Sequence, residues 1–324
     1  MSEIDDLVHR ADLDGLVRLI DRFSASADWA ALSELRSRTR AAVNTGRQLW
    51  PAATLAEYRL ALWAPAEWAA LMLDEDGGRF TIGPLTEVVA QQHRFDDLRP
   101  RLPSGPRLGF IAHECALRGQ SIPDDVVNPL DIPFALQPWE PAYGVAEYSD
   151  EGVAAPAPPL PDSADFIAAT FDDCVRIDDP DVELAVRQLV EPWTASSNGH
   201  AEVVAVEGSA ADAVASLGIS GGRLAPIEPA TAMAWLAWAG ATGGAHGRRR
   251  GAAIGRFGAW WVLAALADLA DDWPVDPVEL GLALAAFDWY WWDGGESRLG
   301  WELQLAIADP AEGYAWAISA HDAA

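Results

Sequence analysis

Nine prolines fall between residues 121 and 162, in the stretch SIPDDVVNPLDIPFALQPWEPAYGVAEYSDEGVAAPAPPLPD. Each removes a backbone donor and holds its predecessor out of the α region, so no long helix crosses this part of the chain. The centre is broken, and two structured regions are expected on either side of it. We place the boundaries at 1–118, at 119–165 for a Pro- and acid-rich connector, and at 166–324. A length of 324 residues suits two domains of ~100–200 residues each. Within the connector, residues 150–162 are expected to be the most mobile part, and the apolar residues around Phe134 and Trp139 to lie against a domain.

The first region reads as consecutive short helices. Apolar residues recur at i, i+3 and i+4 in LDGLVRLIDRF (13–23) and WAALSELRSRTRAAV (29–43), with Asp28 as the expected N-cap of the second. Further helices are expected over 51–63, 66–73, 84–93 and 106–118. DWAAL at 28–32 is echoed by EWAAL at 67–71 and weakly by RFDDL at 94–98. The spacing of the echoes is unequal. It fits an irregular helical repeat resembling HEAT-like arrays or, equally, a plain bundle. The last region reads as α+β: strands over 202–208 and 219–229, a small helix between them, and helices over 229–241, 248–270 and 277–286. Three strands follow, at 287–292, 301–309 and 313–321, the last two joined by the turn DPAEG at 309–313. The expected class is α+β, predominantly α, with a small antiparallel sheet near the C-terminus.

Charge and cysteine narrow the functional classes. The formal charge of −27 leaves no basic face for a phosphate backbone, so no nucleic-acid partner is expected. The two cysteines, Cys115 and Cys174, form no C-x-x-C pair, which excludes a zinc ribbon and points to a reducing, cytoplasmic setting. The N-terminal MSEIDDLVHR carries acids where a signal peptide needs bases. Two apolar runs flank Arg248–Arg250, but Arg256 and Asp268 interrupt the second, well short of the ~20 residues a span needs. No membrane partner is expected.

One cluster stands out against the acidic background: TGGAHGRRRGAAIGRFGAWW at 242–261. If a helix starts near Gly247 or Arg248, then Gly247, Gly251, Gly255 and Gly258 line one face. Glycine costs about 1 kcal/mol per helix position relative to alanine, and close approach of a neighbouring backbone would offset that. His246, Arg248, Arg249, Arg250 and Arg256 then make the helix entrance positive, a place for phosphate or carboxylate. The alternative is that these arginines pair with the protein's own acids.

Other constellations carry less. The acid runs at 172–183, 268–276 and 293–296 lack EF-hand spacing, and DEDGGRFTIGPL (74–85) ends in leucine where calcium needs glutamate. No metal and no cofactor is expected. Tryptophans at 289, 291, 292, 301 and 316 gather on the terminal strands, either as a stacking platform or, more simply, as core. The six histidines are scattered. All 22 cationic side chains are arginine, so lysine Schiff bases, lysine general bases and P-loop lysine contacts are excluded.

The segments GRQLWPAATLAEYRLALWAPAEWA (46–69) and GGAHGRRRGAAIGRFGAWW (243–261) resemble stretches of an uncharacterised actinobacterial protein family. That resemblance implies no activity, cofactor or catalytic residue. Two functional expectations stand. The first is a non-enzymatic cytoplasmic scaffold or adaptor whose helical N-terminal half, residues 1–118, offers a concave surface to another protein. The second is an enzyme or sensor for an anionic small molecule, held at His246, Arg248, Arg249, Arg250 and Arg256.

Overall fold

The apolar periodicity of the first hundred residues folds as a run of helices: α1 (Glu3–Arg10), α2 (Leu13–Ala25), α3 (Trp29–Asn44), α4 (Trp50–Trp63), α5 (Ala66–Ala69), α6 (Leu85–Gln92), α7 (Phe95–Leu98) and α8 (Pro106–Leu117). They belong to a computed structural model that describes residues 2–73, 83–170, 174–219, 221–295 and 300–323. Local chemistry sets the starts of these helices. Asp12 accepts from the Gly15 amide and Asp28 from the Ala31 amide, each satisfying a donor that the first turn leaves orphaned. The DWAAL echo does not produce equal units, because Trp29 opens a helix of 16 residues and Phe95 one of four.

The chain forms two compact units, Met1–Pro129 with Ala146–Ala155, and Leu130–Val145 with Pro156–Ala324. The proline-rich residues 119–165 are thus divided between them. In the first unit, the hairpin β1 (Glu147–Ser149) and β2 (Gly152–Ala154) docks by polar contacts. Gln91 of α6 exchanges two hydrogen bonds with the Tyr148 backbone, at 2.6 and 3.0 Å. The Tyr148 hydroxyl donates to buried Glu87 at 2.5 Å, and Tyr58 donates to the Ser149 carbonyl at 2.6 Å.

The second unit adds β3 (Ile167–Ala168), β4 (Val175–Ile177), α9 (Pro180–Leu189), α10 (Glu191–Ala195), β5 (His200–Glu207), α11 (Ala210–Ser216), β6 (Arg223–Pro226), α12 (Pro229–Ala241), α13 (Ala252–Leu266), α14 (Pro277–Ala286), β7 (Asp288–Asp293), β8 (Trp301–Asp309) and β9 (Tyr314–Asp322). Seven of its strands form one antiparallel sheet in the order β3-β6-β7-β8-β9-β5-β4. The short edge strands β3 and β4 limit the unpaired backbone left to other chains.

Register sorts the faces. On one, Val204, Val206, Ala306, Ala315, Ala317 and Trp292 pack beneath α11. On the other, Trp291 meets Trp235 of α12 at 4.4 Å between ring centroids. Trp289, Trp291, Trp292 and Trp316 are buried, so these four are core and not a stacking platform, while Trp301 is half-buried. Asp309 caps the β8–β9 turn by accepting from the amides of Ala311 and Glu312 at 2.9 and 3.2 Å.

Candidate functional site

Helix α12 ends at Ala241, and α13 starts only at Ala252, later than the glycine spacing predicts. Gly251 explains the difference: at φ +98° it is the N-cap and not a helical residue. The arginine run therefore lies in irregular backbone ahead of the helix. Gly243 and Gly247 press together, since a Cβ on Gly247 would sit 2.1 Å from the Gly243 oxygen. The loop is pinned from below by buried Asp322 of β9, which accepts from the Ala245 amide at 2.6 Å and the Ser197 hydroxyl at 2.8 Å. Of the expected ladder only Gly255 and Gly258 are on the helix. Gly255 allows α12 to approach, because a Cβ there would lie 2.1 Å from the Ala237 carbonyl oxygen.

The structure places the five predicted residues in different surroundings. Arg256 is a correction to the expected anion site. Its side chain is 0% exposed, and its Nε and one terminal nitrogen donate to the two oxygens of Glu140, both at 2.7 Å. The other terminal nitrogen donates to the Pro133 carbonyl at 2.7 Å. Glu140 accepts three more donors, from Trp260 at 2.7 Å, Tyr143 at 2.9 Å and the Gln137 amide at 2.8 Å. With both charges neutralised and bonded, nothing is left for an external anion. The same burial, with the Glu140 charge alongside, pushes the Tyr143 hydroxyl well above its ordinary pKa.

Arg250 behaves differently. One terminal nitrogen donates to the carbonyls of Gln188 and Leu189, at 2.9 and 3.3 Å, closing the C-terminal end of α9 where a cation suits the helix dipole. Its Nε and second terminal nitrogen make no hydrogen bond among the described residues. Burial lowers the pKa of this guanidinium, and the charge of Glu191 works against that shift. His246 and Arg248 are exposed, and Arg249 is half-buried.

Arg250 stands at the polar end of a cavity of about 270 Å³ between α9 and α13. Ile254, Phe257 and Trp261 line it from one face of α13, and Leu189 from α9. Gln188 and Glu191 share the Arg250 end. Leu189 fills the notch left by two glycines: a Cβ on Gly240 or Gly258 would lie 2.7 or 2.6 Å from its Cδ1. Phe257 and Trp261 stack at 6.5 Å with an interplanar angle of 18°.

A second surface lies on α14. Asp276 caps it, accepting from the amides of Val278 and Glu279 at 2.8 and 3.2 Å. Leu280 and Leu284 turn inward, and Gly281 lies against the Trp139 indole. On the outer side Val278 and Leu282, one turn apart, are each 69% exposed. Ala285 and Ala286 are exposed as well, and so are Asp276, Glu279 and Asp288 around them. From Phe257 to Gly295 the sequence holds seven acids and no cation.

The fold also joins residues that sequence reading left scattered. His200 of β5 and His321 of β9 are register partners, with ring centroids 5.9 Å apart. Glu302 of β8 is the partner of His321 on its other side. Among the described residues no three His, Cys, Asp or Glu side chains come together to hold a metal ion, and no helix is long and apolar enough to cross a membrane. Residues 74–82, 171–173 and 296–299, which carry parts of the acid runs, lie outside the described residues. Cys115 and Cys174 are free thiols, and burial pushes the Cys115 thiol up to about 12.

The sequence model of one family, described as "Family of unknown function (DUF6183)", matches residues 14–324, and the chain belongs to that family. No curated protein and no solved structure matches it.

Proposed function

We propose, for this member of a family of unknown function, a non-enzymatic role as a cytoplasmic scaffold or adaptor that docks a basic partner protein on the outer face of α14. The observation that carries the reading is the pair Val278 and Leu282, each 69% exposed on a helix whose other face is buried. An apolar stripe at i and i+4 is the pattern by which helices dock on partners. Burying it would contribute roughly 25 cal/mol per Å² of apolar surface, so the stripe gains from being covered.

Charge selects the partner. Asp276, Glu279 and Asp288 flank the stripe, and the surrounding sequence offers no cation to neutralise them. An acidic rim speeds encounter with a basic surface and repels an acidic one. A second copy of this chain, at −27, is therefore disfavoured as the occupant. Two free thiols fit a reducing compartment.

The test compares the full-length protein with Leu282→Glu in affinity capture from native extract, at low and at high salt. Leu282 is exposed, so the substitution is expected to leave the thermal transition in place. The reading requires a basic protein that is retained by the parent, released by salt and lost with Leu282→Glu. Identical captures, or light scattering that shows a dimer abolished by Leu282→Glu, would overturn it.

A further inference from the structure

The cavity between α9 and α13 has a chemistry that the α14 reading does not use. Its walls are apolar and partly aromatic. Leu189 forms one side, and Ile254, Phe257 and Trp261 form the other. These three α13 residues are half-buried and recur along one helix face, and the near-parallel rings of Phe257 and Trp261 line the groove, with Trp273 packed against both. The polar end holds one charge of each sign. Arg250 is anchored by a single nitrogen to the α9 carbonyls, which fixes its direction and leaves two donor positions open. Glu191 lines the same end and is exposed. Its charge acts on Arg250, but the described residues hold no ion pair between the two within 4.0 Å.

Two opposite charges that share a rim without closing on each other complement a molecule carrying both. A lone carboxylate would gain Arg250 and face repulsion from Glu191. A lone amine would meet the reverse. We propose that this groove binds a small α-amino acid with a flat apolar side chain: its carboxylate on Arg250, its ammonium toward Glu191 and its ring against Phe257 and Trp261. The volume, about 270 Å³, lies at the lower end of small-molecule pockets and suits a single-ring side chain. Charge-assisted contacts give orientation, and the aromatic walls give affinity. The site is independent of the α14 surface, and either can fail alone.

Isothermal titration of the full chain with three probes tests it: L-phenylalanine, 3-phenylpropionate, which lacks the ammonium, and 2-phenylethylamine, which lacks the carboxylate. Phenylalanine is expected to bind at least about tenfold more tightly than either analogue, the factor one charge-assisted contact supplies. Glu191→Gln, an exposed change, should erase the advantage over 3-phenylpropionate and leave the advantage over the amine. Arg250→Gln should do the converse, and the Glu191 variant keeps the test decisive if losing the α9 cap unfolds the protein. No binding of phenylalanine, equal affinity for all three probes, or affinity unmoved by Glu191→Gln would overturn the proposal.

Discussion

Arg250 and Arg256 sit in one short run of sequence and meet opposite fates. Arg250 keeps donors open to solvent, whereas Arg256 is enclosed with Glu140, and both members of the pair are 0% exposed. Taking two charges out of water is costly, and the geometry offsets it only because every remaining donor and acceptor is satisfied. Removing one partner leaves the other charge buried alone. Arg256→Met is expected to lower the unfolding free energy of the second unit by about 3–5 kcal/mol. Arg256→Met combined with Glu140→Leu should cost less than the sum of the two single changes, since no lone charge remains. Urea unfolding followed by tryptophan fluorescence reads this, because twelve of the 16 tryptophans are in that unit. Additive losses in the double variant would contradict it. This pairing was not legible in the sequence. Glu140 lies 116 positions from Arg256, inside a proline-rich stretch that periodicity treats as connector. The same limit hid His200 and His321, which meet only because β5 and β9 are neighbours in the sheet.

At the scale of elements, the legible features were those set by short-range chemistry. Asp28 caps α3 because a carboxylate three residues ahead of an orphan amide needs no tertiary context. The turn at Asp309 follows from side-chain bonds to its own backbone. Helix α13 was legible as a helix but not in its start. Four glycines at helical spacing look alike on paper, yet Gly251 takes a positive φ and only Gly255 and Gly258 are helical. The two are not equivalent. A methyl group at Gly255 would meet the Ala237 carbonyl at 2.1 Å and the Ala241 methyl at 2.8 Å, so α12 and α13 would have to part. At Gly258 it would meet only the end of the Leu189 side chain. Gly255→Ala is expected to destabilise by about 1–3 kcal/mol, since overpacking exceeds the gain in helix propensity of ~1 kcal/mol. Gly258→Ala should cost clearly less. Thermal unfolding of the two variants checks the order, and a Gly255→Ala protein as stable as the parent would contradict close helix contact.

At the scale of the molecule, acidity and apolar exposure converge on α14. Composition alone announced a charge of −27, and it excluded lysine chemistry. It did not reveal where acids would border an uncovered apolar stripe, because VELGLALAA (278–286) is apolar on both sides and only packing decides which side is covered. Leu280 and Leu284 find α13 and Trp139 nearby, while Val278 and Leu282 find no cover. The most direct measurement is photo-crosslinking of the full chain in its native cells, with a benzophenone amino acid at position 282 and, as control, at exposed Leu184 of α9. A crosslink is expected from position 282 to a protein of net positive charge, and none from position 184. Adducts common to both positions, or from position 282 to another copy of the chain alone, would contradict it.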